Sequence, residues 1–295
     1  MSPKLSIIMS CRNHQDLVAK SVLSVLNQTF SDFEFLIFDD FSIDCTYDVL
    51  YDLAKQDKRI RLFRNNSVNG LTKNLNDLLQ LCRSDIIGRQ DADDTSVSTR
   101  FEEFLQNYDP SINLYTSNFY LEQEKNILTT NQSGDPSFVL FNFLFYFYFG
   151  SHGQIFFNKQ FYDKKFRYCQ DYEFCSNILR SNFKDFKLIK SPLYVYKRHE
   201  NTIFKRHRKK QIYFSLITAK HNLNYFLNIN INNDLLFQLR NMFLDNKKPK
   251  NNKNIILPVL NHIKNSFFNK LHLSKNEQNN INILVNSIIK NSYEK

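Results

Sequence analysis

Apolar residues near the start of the chain alternate between two patterns. Residues 5–9 and 33–38 are short apolar runs of the kind that forms buried strands. After each run, apolar residues recur at the spacing of the buried face of a helix. The two helical sets are Leu17, Val18, Val22, Val25 and Leu26, and then Val49, Leu50, Leu53 and Ala54. The sequence therefore predicts two strand–helix pairs in succession.

The same alternation continues as far as residue 94. Residues 59–63 alternate charged and apolar positions as a half-buried strand does, and residues 85–89 form a further apolar run. Between them, the turn-forming pair Asn69-Gly70 precedes a helix-spaced apolar set that begins at Leu71. Strands that alternate with helices favour an α/β fold with a mainly parallel, Rossmann-like sheet covered by helices on both faces.

The middle of the chain predicts a mixture of elements. Residues 100–108 and 171–179 have helical spacing, and residues 114–120, 154–157 and 193–196 have the composition of strands. Residues 138–149 contain six phenylalanines and two tyrosines. This segment is interpreted as a core helix rather than an aromatic acceptor wall or a membrane-dipping face, because aromatic side chains most often pack in the interior.

The composition changes at about Gln211, after which asparagine and lysine dominate. Val259, Leu260, Ile263 and Phe267 predict a short helical appendage, and residues 245–254 resemble a linker. So many asparagines indicate either weak packing or dependence on a surface or a partner.

The overall composition narrows the class of partner. Lys and Arg number 39 and Asp and Glu number 29, so the formal charge is +10, which favours nucleic acid, anionic lipid headgroups or phosphorylated substrates. Five cysteines without a Cys-x-x-Cys pair indicate neither a disulfide framework nor a zinc knuckle. The apolar runs are too short for an export signal or a membrane span. We therefore expect a protein of the reducing cytoplasm.

An acidic cluster follows the predicted strand at residues 85–89. Asp91, Asp93 and Asp94 place three carboxylates within four residues, and Asp39-Asp40 similarly ends an earlier strand. Ligands of open α/β sheets gather at the carboxyl ends of the strands, and Mg²⁺ or Mn²⁺ binds carboxylates together with phosphate oxygens. The cluster indicates a cation site for a nucleotide diphosphate, and the alternative is an acidic turn that caps the next helix.

Two further charged features allow a structural or a functional interpretation. Asp171 and Glu173 fall in the first turn of a predicted helix, where acidic side chains usually stabilise the helix dipole. Residues 197–210 include seven Lys or Arg within fourteen positions. This basic run is either a solvated helix start or a clamp on a diphosphate or an anionic membrane surface.

Five segments, in order and at matching intervals, together resemble the inverting family-2 nucleotide-sugar glycosyltransferases of GT-A fold. The segments are Ser6-Ile7-Ile8-Met9-Ser10-Cys11-Arg12-Asn13, Ser24-Val25-Leu26-Asn27-Gln28-Thr29-Phe30, Phe38-Asp39-Asp40-Phe41-Ser42-Ile43-Asp44, Asp91-Ala92-Asp93-Asp94 and Gln170-Asp171-Tyr172-Glu173. The resemblance covers residues 4–205 and implies the GT-A fold, with the C-terminal helical appendage outside it.

For the donor, the resemblance implies that Ser10, Arg12 and Asp40 line the nucleotide pocket, with Asp40 hydrogen-bonded to the uracil ring. Arg100 matches a basic residue that often follows the acidic motif, and we assign it to donor binding.

For the chemistry, Asp91 and Asp93 resemble the acids of the family's Asp-x-Asp motif. Asp93 would bind Mn²⁺ or Mg²⁺ on the diphosphate, and Asp91 would contact the same ion or reach the hydroxyls of the sugar or ribose. Asp171 resembles the catalytic base.

The chain departs from the family pattern at three places. Ser10 and Arg12 replace the usual proline and tyrosine, Phe41 replaces a glycine, and Gln170 replaces the glutamate before the base. The first two changes alter the shape and hydrogen bonding near the nucleotide, which affects base and sugar specificity. The third removes a negative charge beside Asp171, which lowers the pKa of Asp171 relative to a chain with glutamate there.

The resemblance predicts a metal-dependent inverting glycosyltransferase that moves a sugar, from a UDP-sugar in particular, to a hydroxyl of a glycan or lipid-linked glycan in polysaccharide or lipopolysaccharide synthesis. Residues 1–95 would bind the nucleotide sugar, residues 96–210 the acceptor, and residues 211–295 would form the basic helical region. The expected location is the cytoplasm, with the anionic inner face of the membrane as a partner surface and no nucleic acid. The alternatives are a non-catalytic nucleic-acid binder and a degenerate glycosyltransferase-like subunit.

Overall fold

The computed structural model describes residues 2–123, 126–198, 207–245, 247–250 and 253–293. The chain divides into two compact units. The first, called the sheet unit, contains residues 1–132, 149–170 and 185–206. The second, called the helical unit, contains residues 133–148, 171–184 and 207–295. The chain crosses between the two units several times. The functional division at residues 95 and 210 stays a prediction.

Nine strands lie within the described residues, all of them in the sheet unit. They are β1 (Leu5–Cys11), β2 (Phe33–Asp39), β3 (Ile60–Arg64), β4 (Ile86–Arg89), β5 (Thr95–Ser96), β6 (Leu114–Gln123), β7 (Asn126–Thr129), β8 (Phe156–Asn158) and β9 (Phe186–Arg198).

Ten α-helices are also described. They are α1 (Val18–Leu26), α2 (Thr46–Gln56), α3 (Leu71–Leu81), α4 (Arg100–Asn107), α5 (Pro136–Phe143), α6 (Gln170–Ser181), α7 (Arg208–Leu227), α8 (Asn233–Asp245), α9 (Lys253–Leu271) and α10 (Lys275–Tyr293).

The strands form one sheet in the order β3-β2-β1-β4-β8-β6-β9-β5, with β7 paired to β6. The neighbours β3, β2, β1 and β4 are all parallel. Beyond β4 the sheet is mixed, because β8 is antiparallel to β4 and β6, whereas β6 and β9 are parallel. The predicted parallel alternation of strands and helices is confirmed for the part of the chain before residue 90.

Helices cover both faces of the parallel strands. Alternate residues of β1, from Leu5 to Cys11, pack in one cluster with the buried faces of α1, α2 and α4. Because side chains alternate across a strand, Ser6, Ile8 and Ser10 point to the other face. There Asn74 of α3 donates a hydrogen bond to Ser10 Oγ at 3.1 Å. The strand pattern thus fixes which helices lie on which side.

The helical unit has its own apolar core, which includes the phenylalanine-rich segment. Phe141 contacts Phe267 with ring centroids 5.2 Å apart, and Phe145 stacks on Phe243 at 4.2 Å. These contacts agree with the interpretation of residues 138–149 as core. Helix α5 begins earlier than the apolar run, because the Asp135 side chain accepts a hydrogen bond from Phe138 N and caps it, and the helix ends at Phe143.

Three predicted features differ from the structure. Strand β9 is much longer than residues 193–196, and its pairing with β6 is irregular near Pro192, which has no N–H to donate. Within its described residues, the C-terminal region holds four helices, α7 to α10, rather than a short appendage. The predicted linker at residues 245–254 overlaps helices at both ends, because α8 ends at Asp245 and α9 begins at Lys253.

The predicted basic run is only partly visible, because residues 199–206 lie outside the described residues. Among the helices that are described, none combines the length and the apolar character that crossing a membrane requires.

Candidate active site

The site lies at the edge of the sheet where β1, β2 and β4 end side by side. Asp40 N donates to Cys11 O at 2.9 Å, and Gln90 N donates to Ile8 O at 3.1 Å. Since neighbouring strands are about 4.8 Å apart, the strands that precede Asp40 and Asp91 are separated by about 10 Å. Two acidic strand ends therefore share one edge, as the sequence predicts.

The carboxylate of Asp40 is held by amide groups. Oδ1 accepts hydrogen bonds from Asn65 Nδ2 and Asn69 N, each at 2.8 Å, and Oδ2 accepts one from Gly70 N at 2.9 Å. Burial by itself would raise the pKa of Asp40, but the surrounding amide donors outweigh it and lower that pKa. The group is an ionised acceptor at neutral pH, fixed in orientation and with lone-pair capacity left on Oδ2.

A chain of side-chain amides links Asp40 to Ser10. Asn65 Nδ2 also donates to Asn74 Oδ1 at 2.8 Å, and Asn74 Nδ2 donates to Ser10 Oγ. Neither asparagine is among the site residues predicted from the sequence. A usable signal was present, because Asn74 is a polar residue within the apolar stripe of α3 and is fully buried.

Two loops are joined beside Asp40. Asn13 N donates to Ser42 Oγ, and Ile43 N donates to Asn13 Oδ1, both at 3.0 Å. Arg12, in the first of these loops, is exposed to solvent. The structure thus brings the segments of Ser10, Arg12 and Asp40 together, and their contact with a nucleotide stays a prediction.

Asp91 is paired with a buried arginine, Arg89, which is not among the site residues predicted from the sequence. Arg89 is completely buried, and its Nη2 donates to Asp91 Oδ1 at 2.6 Å. Burial raises the pKa of Asp91, and the Arg89 charge opposes that change. Asp91 N also donates to the Tyr194 hydroxyl at 3.1 Å. A Cβ on Gly153 would lie 1.9 Å from that hydroxyl, so the glycine is required for the approach of Tyr194.

Asp94 is buried and anchors the acidic loop to its neighbours. Its Oδ1 accepts a hydrogen bond from Lys197 N at 2.8 Å, and its Oδ2 accepts one from Ser151 Oγ at 3.3 Å. Burial, followed by the charges of Asp93 and Asp91, raises the pKa of Asp94 well above its usual value. Asp94 therefore fixes the loop from the inside of the protein.

Asp93 follows β4 closely and, like Asp91, is partly exposed, whereas Asp94 is buried. Asp93 lines a shallow depression together with Leu17, Lys20, Thr95, Glu122, Val195 and Lys197. No group of three His, Cys, Asp or Glu side chains within the described residues is arranged to hold a metal ion. The donor set fits Mg²⁺ or Mn²⁺ bound through one or two carboxylates, with diphosphate oxygens and water completing the shell.

Arg100 lies beneath the acidic loop. Its Nη2 donates to Arg89 O and Gly153 O, both at 2.9 Å, and its Nη1 donates to Ser96 Oγ at 2.8 Å. The guanidinium also sits over the Phe156 ring, 4.6 Å from the centroid. Arg100 is almost completely buried, so its contacts explain how the loop is supported, and its assignment to donor binding stays a prediction.

The predicted base belongs to the helical unit. Asp171 lies in the first turn of α6, where its Oδ1 accepts a hydrogen bond from Tyr172 N at 2.8 Å, and the side chain is partly exposed. Glu173, in the same turn, is buried and pairs with Arg180. Arg180 also donates to Asn222 Oδ1 at 2.8 Å. The two acids of this turn thus occupy different environments. The partly exposed Asp171 is the candidate base, and the buried Glu173 forms a structural ion pair.

Comparison with known proteins decides the family. The sequence profile of Glycosyl transferase family 2 matches residues 6–170. The chain belongs to glycosyl transferase family 2. This confirms the family predicted from the five motifs and favours a transferase over a nucleic-acid binder.

Two of the relatives of this family-2 chain are glucosyltransferases named for lipid-linked substrates. The GalNAc(5)-diNAcBac-PP-undecaprenol beta-1,3-glucosyltransferase of Campylobacter jejuni is 33% identical over 126 residues, which are 42% of the chain and 41% of that protein. The UDP-Glc:alpha-D-GlcNAc-diphosphoundecaprenol beta-1,3-glucosyltransferase WfaP of Escherichia coli is 30% identical over 121 residues, which are 41% of the chain and 47% of WfaP. The chain therefore spans less than half the length of each of these two relatives.

Solved structures confirm the GT-A fold of this family-2 protein. S. aureus TarS 1-349 in complex with UDP-GlcNAc superposes with a TM-score of 0.63 at 12% identity, over 90% of the chain and 81% of the TarS chain. The mannosyltransferase PcManGT from Pyrobaculum calidifontis, in complex with GDP-Man and Mn²⁺, gives a TM-score of 0.52 at 15% identity, over 100% of the chain and 88% of PcManGT. At these identities the likeness shows the fold alone.

Proposed function

We propose that this protein is a metal-dependent inverting glycosyltransferase that moves a sugar from a UDP-sugar to a hydroxyl of a lipid-linked glycan, in the synthesis of a cell-surface polysaccharide or lipopolysaccharide. The observation that carries the UDP assignment is the amide cradle of Asp40. An ionised, oriented acceptor favours a base whose ring edge presents an N–H. Uracil N3 carries a hydrogen and cytosine N3 does not. Guanine N1 also carries one, so the choice of uracil over guanine rests on the resemblance of Asp40 to the residue that binds the uracil ring.

The names of the relatives support the class of acceptor. Both glucosyltransferases described above are named for sugars on diphosphoundecaprenol, a lipid carrier. The excess of positive charge in the present chain suits a glycan held at an anionic membrane surface.

The proposed reaction is a single in-line displacement. Asp171 accepts the proton of the acceptor hydroxyl while that oxygen bonds to the anomeric carbon, and the bond from this carbon to the diphosphate breaks with its electron pair leaving on UDP. Attack from the face opposite the diphosphate inverts the configuration. Asp40, Ser10 and Arg12 hold the nucleotide, and Asp91, oriented by Arg89, reaches donor hydroxyls.

Asp93 would hold the Mn²⁺ or Mg²⁺ ion, with Asp91 as a second possible ligand. When bound, the metal supplies Lewis-acid stabilisation of the negative charge on the departing diphosphate.

Nucleotide discrimination tests the proposed function. We expect UDP to bind the full-length protein at least ~10-fold more tightly than CDP. Cytosine N3 has no hydrogen to donate, so in CDP the Asp40 carboxylate would face another acceptor. Isothermal titration calorimetry with UDP, CDP and GDP in the presence of Mn²⁺ measures this directly. Equal affinity for UDP and CDP, or tighter binding of GDP than of UDP, would contradict the uridine assignment, and no binding of any nucleotide would contradict the transferase.

An assay that detects the release of UDP, run with a panel of UDP-sugars and a lipid-linked acceptor, then tests turnover. The anomeric configuration of the product, read by NMR coupling constants, tests inversion. A product that retains the donor's configuration would contradict the single displacement.

Membrane association is a separate prediction, based on the basic start of α7. Arg208, Lys209 and Lys210 are all exposed, and each basic residue near an anionic surface contributes about 1 kcal/mol. Replacing the three with glutamine is expected to lower partitioning to phosphatidylglycerol vesicles by on the order of 100-fold at low salt. Vesicle flotation at two salt concentrations measures it.

A matched control is available in the same unit. Lys247, Lys248 and Lys250 are exposed as well, so their replacement with glutamine gives the same change in net charge at another place. Equal flotation of the two triple variants would show that the basic start of α7 contributes no more to membrane binding than lysines elsewhere in the unit. Truncation after Lys210 is a poorer test, because it removes Phe243 and Phe267, on which the core of the helical unit depends.

A further inference from the structure

Phe41 has a backbone conformation that phenylalanine rarely adopts. Its φ is 58°, in the left-handed region. In that region the Cβ atom crowds the carbonyl oxygen, so every residue with a side chain pays a steric cost that glycine avoids. Phe41 stands directly after Asp40, at the position where the family usually has glycine. The sequence has therefore placed a bulky ring where the backbone least favours one.

The neighbours of Phe41 hold this conformation in place. On one side, Asp40 N donates to Cys11 O at 2.9 Å. On the other, Ser42 N donates to Asp39 Oδ2 at 3.2 Å, and Arg64 Nη2 donates to Ser42 O at 3.1 Å. Because the backbone is hydrogen-bonded on both sides of Phe41, the chain cannot relax there without breaking these bonds.

The ring of Phe41 makes little contribution to the stability of the fold that would offset this strain. Phe41 is 41% exposed, and among the residues that the structure describes it packs against no other aromatic ring. A strained, half-exposed residue at a binding site is a reason to infer a function, since strain of this kind persists where function needs it.

We propose that Phe41 presents its ring as the stacking face for the nucleobase whose edge is bound by Asp40. This rests on the proposed function and adds a residue to it. Aromatic side chains stack on bases without regard to their hydrogen-bonding edge, so Phe41 would supply affinity and Asp40 the choice of base.

The first test uses two measurements that should move in opposite directions. Phe41→Gly relieves the steric strain, so the midpoint temperature of thermal unfolding should rise by about 1–3 °C. The same variant loses the ring, so UDP affinity should fall by about 5- to 150-fold. Phe41→Tyr keeps a ring and should bind UDP within about twofold of the parent. Ile43→Ala, which removes an apolar side chain that is 80% exposed in the same loop, should leave UDP affinity unchanged.

The second test does not depend on the glycine variant. The chain has no tryptophan, so Phe41→Trp and Ile43→Trp each create a single fluorescent reporter in one loop. UDP should quench the emission of Phe41→Trp, because a stacked base lies on the indole, and should leave that of Ile43→Trp nearly unchanged.

The outcomes separate this role from the proposed function. Parent protein that binds UDP, together with equal affinity in Phe41→Gly or equal quenching of the two tryptophan variants, would overturn the stacking role alone. Parent protein that binds no nucleotide would overturn the proposed function as well. A drop in affinity of the same size in Ile43→Ala would assign the effect to the apolar loop rather than the ring, and this also overturns the proposal.

Discussion

Asp171→Asn is expected to lower turnover by about 10²–10⁴-fold, the usual contribution of general-base assistance, while UDP affinity stays within about twofold of the parent. The amide keeps the size of the side chain and can still accept a hydrogen bond through its oxygen, as Asp171 Oδ1 does from Tyr172 N. It cannot take up the proton of an acceptor hydroxyl. Single-turnover kinetics with a saturating UDP-sugar, paired with calorimetry of UDP binding, separate the two quantities.

Glu173→Gln is the matched control for this variant, since both acids lie in the first turn of α6. Glu173 is buried beside Arg180, and His221 Nδ1 lies 3.9 Å from its Oε1. Removing its charge weakens a hydrogen bond to a charged partner, which costs about 1–3 kcal/mol of stability. We therefore expect a lower unfolding temperature and nearly unchanged turnover, the reverse of the effect of Asp171→Asn.

Turnover of Asp171→Asn within about twofold of the parent would show that another group is the base. Glu173 and His152 are then the next candidates, although both are engaged. His152 Nε2 lies 2.8 Å from the Tyr162 hydroxyl, and burial lowers the pKa of His152 well below its usual value. Parent protein that binds UDP but transfers no sugar to any acceptor would instead favour the degenerate subunit.

The parallel half of the fold could be predicted because its signals are local. The apolar runs of β1 and β2 and the helical spacing of α1 to α3 are each contained in about ten residues. Once the strands are known to be parallel, their carboxyl ends must meet at one edge. The neighbourhood of Asp40 and Asp91 follows from that rule without any knowledge of contacts distant in sequence.

The features that could not be predicted depend on such distant contacts. The burial of Arg89 and Arg100 has no signal in the sequence, since arginine usually lies at the surface. Arg89 donates to Ile8 O and to the Asp91 carboxylate, and Arg100 donates to the backbone carbonyls of Arg89 and Gly153. The length of β9 is set by pairing with β6, which overrides its broken apolar pattern. The left-handed backbone at Phe41 contradicts the preference of its residue type, so only the structure reveals it.

Asp93→Ala is expected to lower Mn²⁺-dependent UDP affinity by at least ~100-fold, since even residues that only orient metal ligands contribute about 10- to 100-fold. Within the same loop, Arg89 binds Asp91, and Asp94 is buried against Lys197 N, so these two acids hold the loop in place. The Asp93 charge raises the pKa of both Asp91 and Asp94, so its removal relieves repulsion. The variant should therefore unfold at the same temperature as the parent or slightly above it.

Calorimetric titration of UDP in Mn²⁺ and again in EDTA isolates the metal-dependent part of the affinity. Glu122→Ala is the matched control, because Glu122 is a second carboxylate in the depression that Asp93 lines, and it lies 3.7 Å from Lys197 Nζ. This control should keep the full difference between Mn²⁺ and EDTA. If Asp93→Ala keeps that difference too, the assignment of Asp93 as metal ligand is wrong. If UDP binding in EDTA falls as far as binding in Mn²⁺, Asp93 contacts the nucleotide itself, because a residue that acts through the ion cannot change affinity once the ion has been removed.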